Sequence, residues 1–367
     1  MTYDAILLTS FGGPEGPDEV MPYLERVTAG RGVPRERLEE VSHHYLALGG
    51  VSPINEQNRA LLAAMKERFP ERGIDIPIYW GNRNSAPFFA DVVKEMYDNG
   101  HRRVLAWVTS AYSSYSGCRQ YRENLYQALA DNDLVGKMVI DKVRHYFDHP
   151  GFLQPVIEDL EDKLQAMVKN GLDFSEIDVM FATHSIPDAM GETSGPPALR
   201  ETFEKPGGAY AAQHLAAAEI VMDKVHSDLG VSPVSWQLVY QSRSGSPQVP
   251  WLEPDVNDAI RDAHKSGKKG VIVVPIGFVS DHVEVIWDLD NEAQETASEL
   301  GLEFARVTTP GSSLAFTDGI ADLILERINE ATPQALSPLG PWPSQCAVGC
   351  CPNLRRELKV IAEASAE

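Results

Sequence analysis

Glu284, Asp288 and Glu292 recur every four residues within the stretch from Phe278 to Glu292. On a helix that spacing stacks three carboxylates on one face. No lysine interleaves the column, and like charges four apart cost a helix roughly a few tenths of a kcal/mol per pair. Such a face looks either onto open water or onto something positive, such as a metal ion or mobile protons. An acidic chain also carries plain solvated faces, so spacing alone leaves both readings open. Asp281 and His282 stand just ahead of the column, after an apolar run from Gly270 to Gly277 that reads as a buried strand.

His184 is the second candidate. It follows Val179–Ala182, so the pattern puts it at the end of another strand, in Thr183-His184-Ser185. A lone histidine is more often packed than catalytic, but ligands of open parallel sheets bind beyond the carboxyl ends of strands. A histidine and a carboxylate that meet there handle protons and can also hold a first-row divalent metal. Ser10-Phe11 and Ser110-Ala111-Tyr112 are two further strand ends directed at the same crevice.

The four cysteines, Cys118, Cys346, Cys350 and Cys351, form the third constellation. Three of them fall within six residues. Four thiolates suit an iron–sulfur cluster or a structural zinc ion, and buried free thiols would account for Cys118 but poorly for the clustered three.

These groups need a scaffold, and the chain alternates apolar runs with helical periodicity. The pattern predicts strands at Ala5–Leu8, Ile76–Trp80, Val104–Thr109 and Met138–Ile140. A second set is predicted at Val179–Ala182, Ser235–Val239, Val271–Pro275 and Phe304–Val307. Strand–helix alternation is the signature of a parallel sheet with crossover helices. The fold class is therefore α/β, with two Rossmann-like, doubly wound domains of four strands each, facing each other over a cleft. The expected boundaries are 1–150 for the first domain, rejoined by a helix at 314–330, 151–313 for the second, and 331–367 for a cysteine-bearing extension reached by a surface connection.

Composition narrows the function. The chain has 367 residues, 43% hydrophobic and 23% charged, with a net charge of −21. This is a globular composition, and the charge argues against binding nucleic acid, whose affinity rests on neutralising phosphates. No stretch is long and apolar enough for a transmembrane helix, and no basic leader precedes the first strand, so the expected location is cytoplasmic. Gly12-Gly13-Pro14-Glu15-Gly16 is not a dinucleotide fingerprint, because proline replaces its third position.

Thr183-His184-Ser185-Ile186-Pro187 and Gly277-Phe278-Val279-Ser280-Asp281-His282-Val283-Glu284 resemble the two signature stretches of the ferrochelatases. Gly49-Gly50-Val51-Ser52-Pro53 and Trp251-Leu252-Glu253-Pro254-Asp255 match that family too, and the likeness runs in order from about Tyr3 to Ile328. Ser10 to Pro17 together with the cysteine tail most resemble its actinobacterial branch. The resemblance implies insertion of Fe²⁺, as substrate, into coproporphyrin III to give coproheme, which a later decarboxylase converts to heme. Protoporphyrin IX, or another tetrapyrrole or metal, is the alternative. A monomer is expected. A two-domain cleft would also suit a non-catalytic solute-binding protein.

By that resemblance His184 accepts a pyrrole proton, Glu284 holds the metal or takes the second proton, and Asp281, Asp288 and Glu292 form the path for protons or iron. The substrate-binding residues would be Phe11, Arg31, Tyr45, Ser52 and Tyr121, with Cys118, Cys346, Cys350 and Cys351 holding a [2Fe–2S] cluster. Three positions depart from the pattern. Phe11 stands where Firmicute enzymes carry an iron-contacting tyrosine, His44 lies near an arginine position, and Asn84 replaces a histidine found in some relatives.

Overall fold

The computed structural model describes residues 3–30, 32–231, 233–244 and 248–363. Arg31, expected to bind substrate, lies outside the described residues.

The first half runs β1 (Ala5–Ser10), α1 (Pro17–Val27), α2 (Arg35–Ala47), α3 (Ile54–Glu71), β2 (Ile78–Asn82), α4 (Phe89–Asp98), β3 (Arg103–Val108), α5 (Gln120–Asp131) and β4 (Val139–Lys142). The second half runs α6 (Pro150–Lys169), β5 (Ile177–His184), α7 (Asp188–Glu192), α8 (Gly208–Leu229), β6 (Ser235–Gln241), α9 (Val256–Lys265) and β7 (Gly270–Val274). It continues with α10 (Val283–Val285), α11 (Gln294–Glu299), β8 (Glu303–Arg306) and α12 (Leu314–Ile328). The strand order is β2-β1-β3-β4 in one sheet and β6-β5-β7-β8 in the other, all in parallel pairs. Helices cover these sheets, so the central strands are buried on both faces: every residue of β1 and β7 is buried.

Both sheets change direction at equivalent places, between β1 and β3 and between β5 and β7, and such switch points open crevices at the carboxyl ends. One apolar core joins the halves. It contains Ile6, Leu8 and Trp107 from the first sheet, Val179, Phe181 and Ile272 from the second, and Phe152, Leu160 and Phe316 from α6 and α12. Helix α6 starts at Pro150 behind His149, whose side chain accepts the Gly151 amide and caps the helix. Helix α12 packs on α6 and on α3, and Asp318 on it receives Arg68 of α3 and Arg72 just beyond its end.

The proline-rich segment after α12 is tied down more firmly than a surface connection. Arg144 donates to the Gln334 carbonyl at 2.7 Å, Ser337 donates to the buried Asp148 at 2.7 Å, and Trp342 packs edge-on against Phe147.

Candidate active site

Strand β5 ends on His184 itself, two residues beyond the apolar run, because pairing with β6 continues to His184↔Gln241. The imidazole Nδ1 lies 2.5 Å from the Ser185 carbonyl oxygen. A carbonyl only accepts, so Nδ1 carries the hydrogen and the neutral ring keeps its lone pair on Nε2. That Nε2 faces Glu284 Oε2 at 3.6 Å. Two acceptors thus point at each other, an arrangement that asks for a proton or a cation between them. Both side chains are partly open to solvent, at 34% and 44%.

The chain arrives at Glu284 through a close approach. A Cβ on Gly277 would come within 2.1 Å of Thr183 Oγ1, so only glycine lets the loop after β7 lie against the end of β5. After the single turn α10, the carboxylate-bearing segment is π-helical over Ile286–Ala293, a rare form that is frequent at functional sites.

Asp288 lies deeper than Glu284. Ser242 donates its hydroxyl to it, and Gln241 Nε2 donates at 3.2 Å. Burial, with Glu284 and Glu292 adding repulsion, pushes the Asp288 carboxyl up to about 7. Glu292, further out, accepts the Trp287 indole N–H at 2.9 Å. Asp281 departs from the path expected for it. Both its oxygens are held by Arg306, at 3.1 and 3.2 Å, and the same guanidinium grips Asp290. Its backbone N–H reaches across to Gln57 of α3 at 2.9 Å. Two groups that shape the site escaped the sequence reading: Gln241 and Ser242, which lie just past the point where the apolar run of β6 stops, and Arg306 at the end of β8.

The first half supplies a wall. The Phe11-Gly12-Gly13 turn follows β1; Gly12 has φ +77°, and a Cβ there would meet Ser85 Oγ at 2.4 Å. Phe11 sets its ring edge-on to Tyr23, and Tyr23 lies beside Tyr45, ring centroids 5.8 Å apart. The Arg83 guanidinium sits 5.5 Å from the Phe11 ring and 3.8 Å from that of Tyr121. Of the expected substrate-binding residues described, Phe11 is partly exposed, whereas Tyr45, Ser52 and Tyr121 are buried. Burial, with the Glu284 charge in support, raises the Tyr45 phenol far above its ordinary range. Asn84 donates to the Phe11 carbonyl at 3.2 Å and so braces the turn.

The cysteines form a separate centre. Cys118, Cys346, Cys350 and Cys351 are all buried in one cluster. Sγ–Sγ distances are 3.8 Å for Cys118–Cys346 and for Cys350–Cys351. The Gly195 amide donates to Cys351 Sγ at 3.1 Å. Among the described residues no group of three or more His, Cys, Asp or Glu is arranged to hold a metal ion. Two buried cations nevertheless flank the sulfurs. Burial pulls Lys142 and Arg122 down, but the charges of Cys346 and Cys118 help to leave both raised. Nη1 and Nη2 of Arg122 are buried without a hydrogen-bond partner, although Nη2 stands 3.7 Å from Glu363. Hydrogen bonds from the Cys118 and Cys350 thiols hold Cys346 well below the usual thiol range.

Among described residues no helix is long and apolar enough to cross a membrane. In three dimensions the chain is similar to SirB from Bacillus subtilis with Fe³⁺, at a TM-score of 0.50 and 9% identity, covering 89% of this chain and 96% of that one. In sequence it is 50% identical to the coproporphyrin III ferrochelatase of Leifsonia xyli subsp. xyli, covering 98% of this chain and 93% of the relative. It is 52% identical to that of Streptomyces coelicolor (95% and 93%), and 45% identical to a protein of Rhodopirellula baltica named ferrochelatase (95% and 93%). Residues 3–328 match the ferrochelatase family, so a histidine and a carboxylate that confront each other beyond the carboxyl ends of a parallel sheet have their context: the chain belongs to the ferrochelatases.

Proposed function

We propose that this chain inserts Fe²⁺ into coproporphyrin III, releasing two pyrrole protons and giving coproheme, which a later decarboxylation would carry to heme. The observation behind this reading is the opposition of His184 Nε2 and Glu284 Oε2, supported by the names of relatives at about half identity.

The chemistry follows from the atoms. Metallation replaces two N–H hydrogens by one Fe²⁺, so the site must take up two protons and present one dication. His184, its tautomer set by Ser185, offers the Nε2 lone pair to the first proton. Glu284 holds the iron or takes the second proton. Asp288, poised at about 7, exchanges protons with the outer Glu292. Asp281 acts indirectly, as the anchor of Arg306. Phe11 cannot ligate iron and serves as an apolar wall, while Arg31, Tyr45, Ser52 and Tyr121 would recognise propionates, the buried three after a rearrangement of the wall.

The cysteines fit a [2Fe–2S] cluster held by Cys118, Cys346, Cys350 and Cys351. A 3.8 Å sulfur pair is the edge of a tetrahedron with metal–sulfur bonds of about 2.3 Å, and the unpartnered Arg122 nitrogens are donors awaiting acceptors. When bound, such a group would crosslink the tail to the first half. A colourless protein that contains zinc would instead identify the tetrad as a structural zinc site.

The test is anaerobic mixing of the protein with Fe²⁺ and either coproporphyrin III or protoporphyrin IX, followed by visible absorption. Faster metallation of coproporphyrin is expected. Preference for protoporphyrin would overturn the substrate, and metallation of neither would overturn the reaction.

A further inference from the structure

Behind His184 lies a buried polar set that the proposed chemistry does not use: Thr183, Tyr210 and His214, roofed by Tyr112. Its hydrogen positions follow from its partners. His214 Nδ1 is 2.7 Å from the Tyr210 carbonyl one turn earlier on α8, so Nδ1 carries the hydrogen. Burial pushes this imidazole down to about 3, which leaves Nε2 as an acceptor at neutral pH. Nε2 is 2.9 Å from Thr183 Oγ1, and the threonine hydroxyl donates to it. That uses the only hydrogen Thr183 has. The Tyr210 hydroxyl, 2.8 Å from Thr183 Oγ1 and 2.8 Å from the His184 carbonyl, therefore shares its single hydrogen between these two acceptors, with the His184 carbonyl as one of them.

The helix carrying this set is fastened from the other side. The Tyr112 ring stacks on His214 with centroids 3.5 Å apart and donates its hydroxyl to the Ile276 carbonyl at 2.9 Å. Gln213 accepts the Ser113 amide at 2.7 Å and donates to the Ser113 hydroxyl at 3.1 Å. The Ser194 hydroxyl accepts the Tyr210 amide at 2.9 Å. The first two turns of α8 are thus pinned at four points, and the Tyr210 hydroxyl connects them directly to the His184 main chain.

We propose that Tyr210 is a positioning residue for His184: its hydroxyl, set in place by Thr183 and His214, holds the His184 main chain so that the ring keeps its Nδ1 bond to Ser185 and its Nε2 aimed at Glu284. The proposal rests on the reading of His184 as proton acceptor. Tyr210 touches no reacting atom, so it acts on the rate of the proton-transfer step and not on the binding of the porphyrin.

Tyr210→Phe tests this, since it keeps the ring and removes only the hydroxyl. Two readouts are taken: steady-state metallation of coproporphyrin III, and the ¹⁵N resonances of the His184 imidazole, assigned by their loss in His184→Ala. The expected result is a fall in kcat of roughly tenfold or more, KM unchanged within about twofold, and a shift of the His184 nitrogens toward a mixture of tautomers. Unchanged ring resonances would overturn the proposal whatever the rate does, and so would a rise in KM at constant kcat. If wild-type protein metallates no porphyrin, the functional reading fails, while the resonance comparison still decides whether Tyr210 holds His184.

Discussion

His44 and Trp287 stack face to face, ring centroids 4.3 Å apart and planes 8° from parallel. His44 comes from α2 in the first half and Trp287 from the π-helical turn in the second, so the pair joins the two lips of the cleft. Burial, aided by Arg37, lowers the His44 pKa against the opposing pull of Glu292, which favours a neutral ring at neutral pH. Such a stack contributes about 0.5–1.5 kcal/mol beyond area burial. His44→Ala is expected to loosen the lips and raise KM for the porphyrin several-fold with little change in kcat, as measured by steady-state kinetics.

Removing either member of the central pair should act on the chemical step. His184→Ala is expected to lower kcat by roughly 10²–10⁴-fold while porphyrin still binds, read by fluorescence quenching. Glu284→Gln should cost nearly as much. Asp288→Ala should cost less than either, because Asp288 lies behind the pair.

Asp288 also makes stability depend on pH. Its folded pKa, about 7, lies above the ordinary carboxyl value near 4. Between those values the folded state binds more protons than the unfolded state, so stability falls as pH rises through this window and the deficit is complete above pH 7. Asp288→Asn removes the titration. It should melt at a higher temperature than wild type at pH 8 and close to wild type at pH 4, by calorimetry at both pH values.

Beside the cysteines, the tail is tied to the body by Arg119, which donates to the Cys350 and Leu358 carbonyls, by Arg200, which donates to the Gly349 carbonyl, and by Asn353, which donates to Tyr115. Cys346 N–H reaches the Ala362 carbonyl at 3.2 Å, and Arg122 Nε donates to the Ile361 carbonyl at 2.9 Å. On the proposed cluster, Cys118→Ser should lose visible absorbance and bound iron. It should also expose the chain beyond Cys346 to proteolysis, which limited digestion with mass spectrometry will detect.

Arg306 holds two carboxylates that would otherwise repel. Taking one partner from such a largely buried network costs roughly 3 kcal/mol or more. Arg306→Met should lower the denaturation midpoint accordingly and slow metallation, because the loop carrying Asp281 leads directly into Glu284.

Much of this was legible in the sequence because parallel strands buried on both faces read as continuous apolar runs. All eight strands lie within a few residues of their expected places. Their ends were harder to place, since a ladder continues through polar residues once its neighbour is set. Pairing with Gln241 draws His184 into β5, and hydrophobicity does not report it. The tie between Asp281 and Arg306 was not legible because the two lie 25 residues apart along the chain. The π-helical turn was hidden for a similar reason: Glu284, Asp288 and Glu292 share a face in either kind of helix, so the periodicity does not distinguish them. Tyr45, Ser52 and Tyr121 show that residue type indicates what a side chain can bind, whereas packing decides whether it is presented.

The matching strand orders of the two sheets pair β1 with β5 and β3 with β7. The two halves are thus near-copies in plan, yet they are unequal in chemistry. Where β5 ends on His184, β1 ends on Ser10, whose hydroxyl is occupied by Asn58 at 2.7 Å. Where the chain beyond β7 brings in Glu284, the chain beyond β3 brings in Tyr112, which faces inward. On the proposed function, one half would supply the reacting groups and the other would shape the space. Variation in α1, α2 and the Phe11 turn can therefore retune which macrocycle fits without disturbing the groups that take its protons.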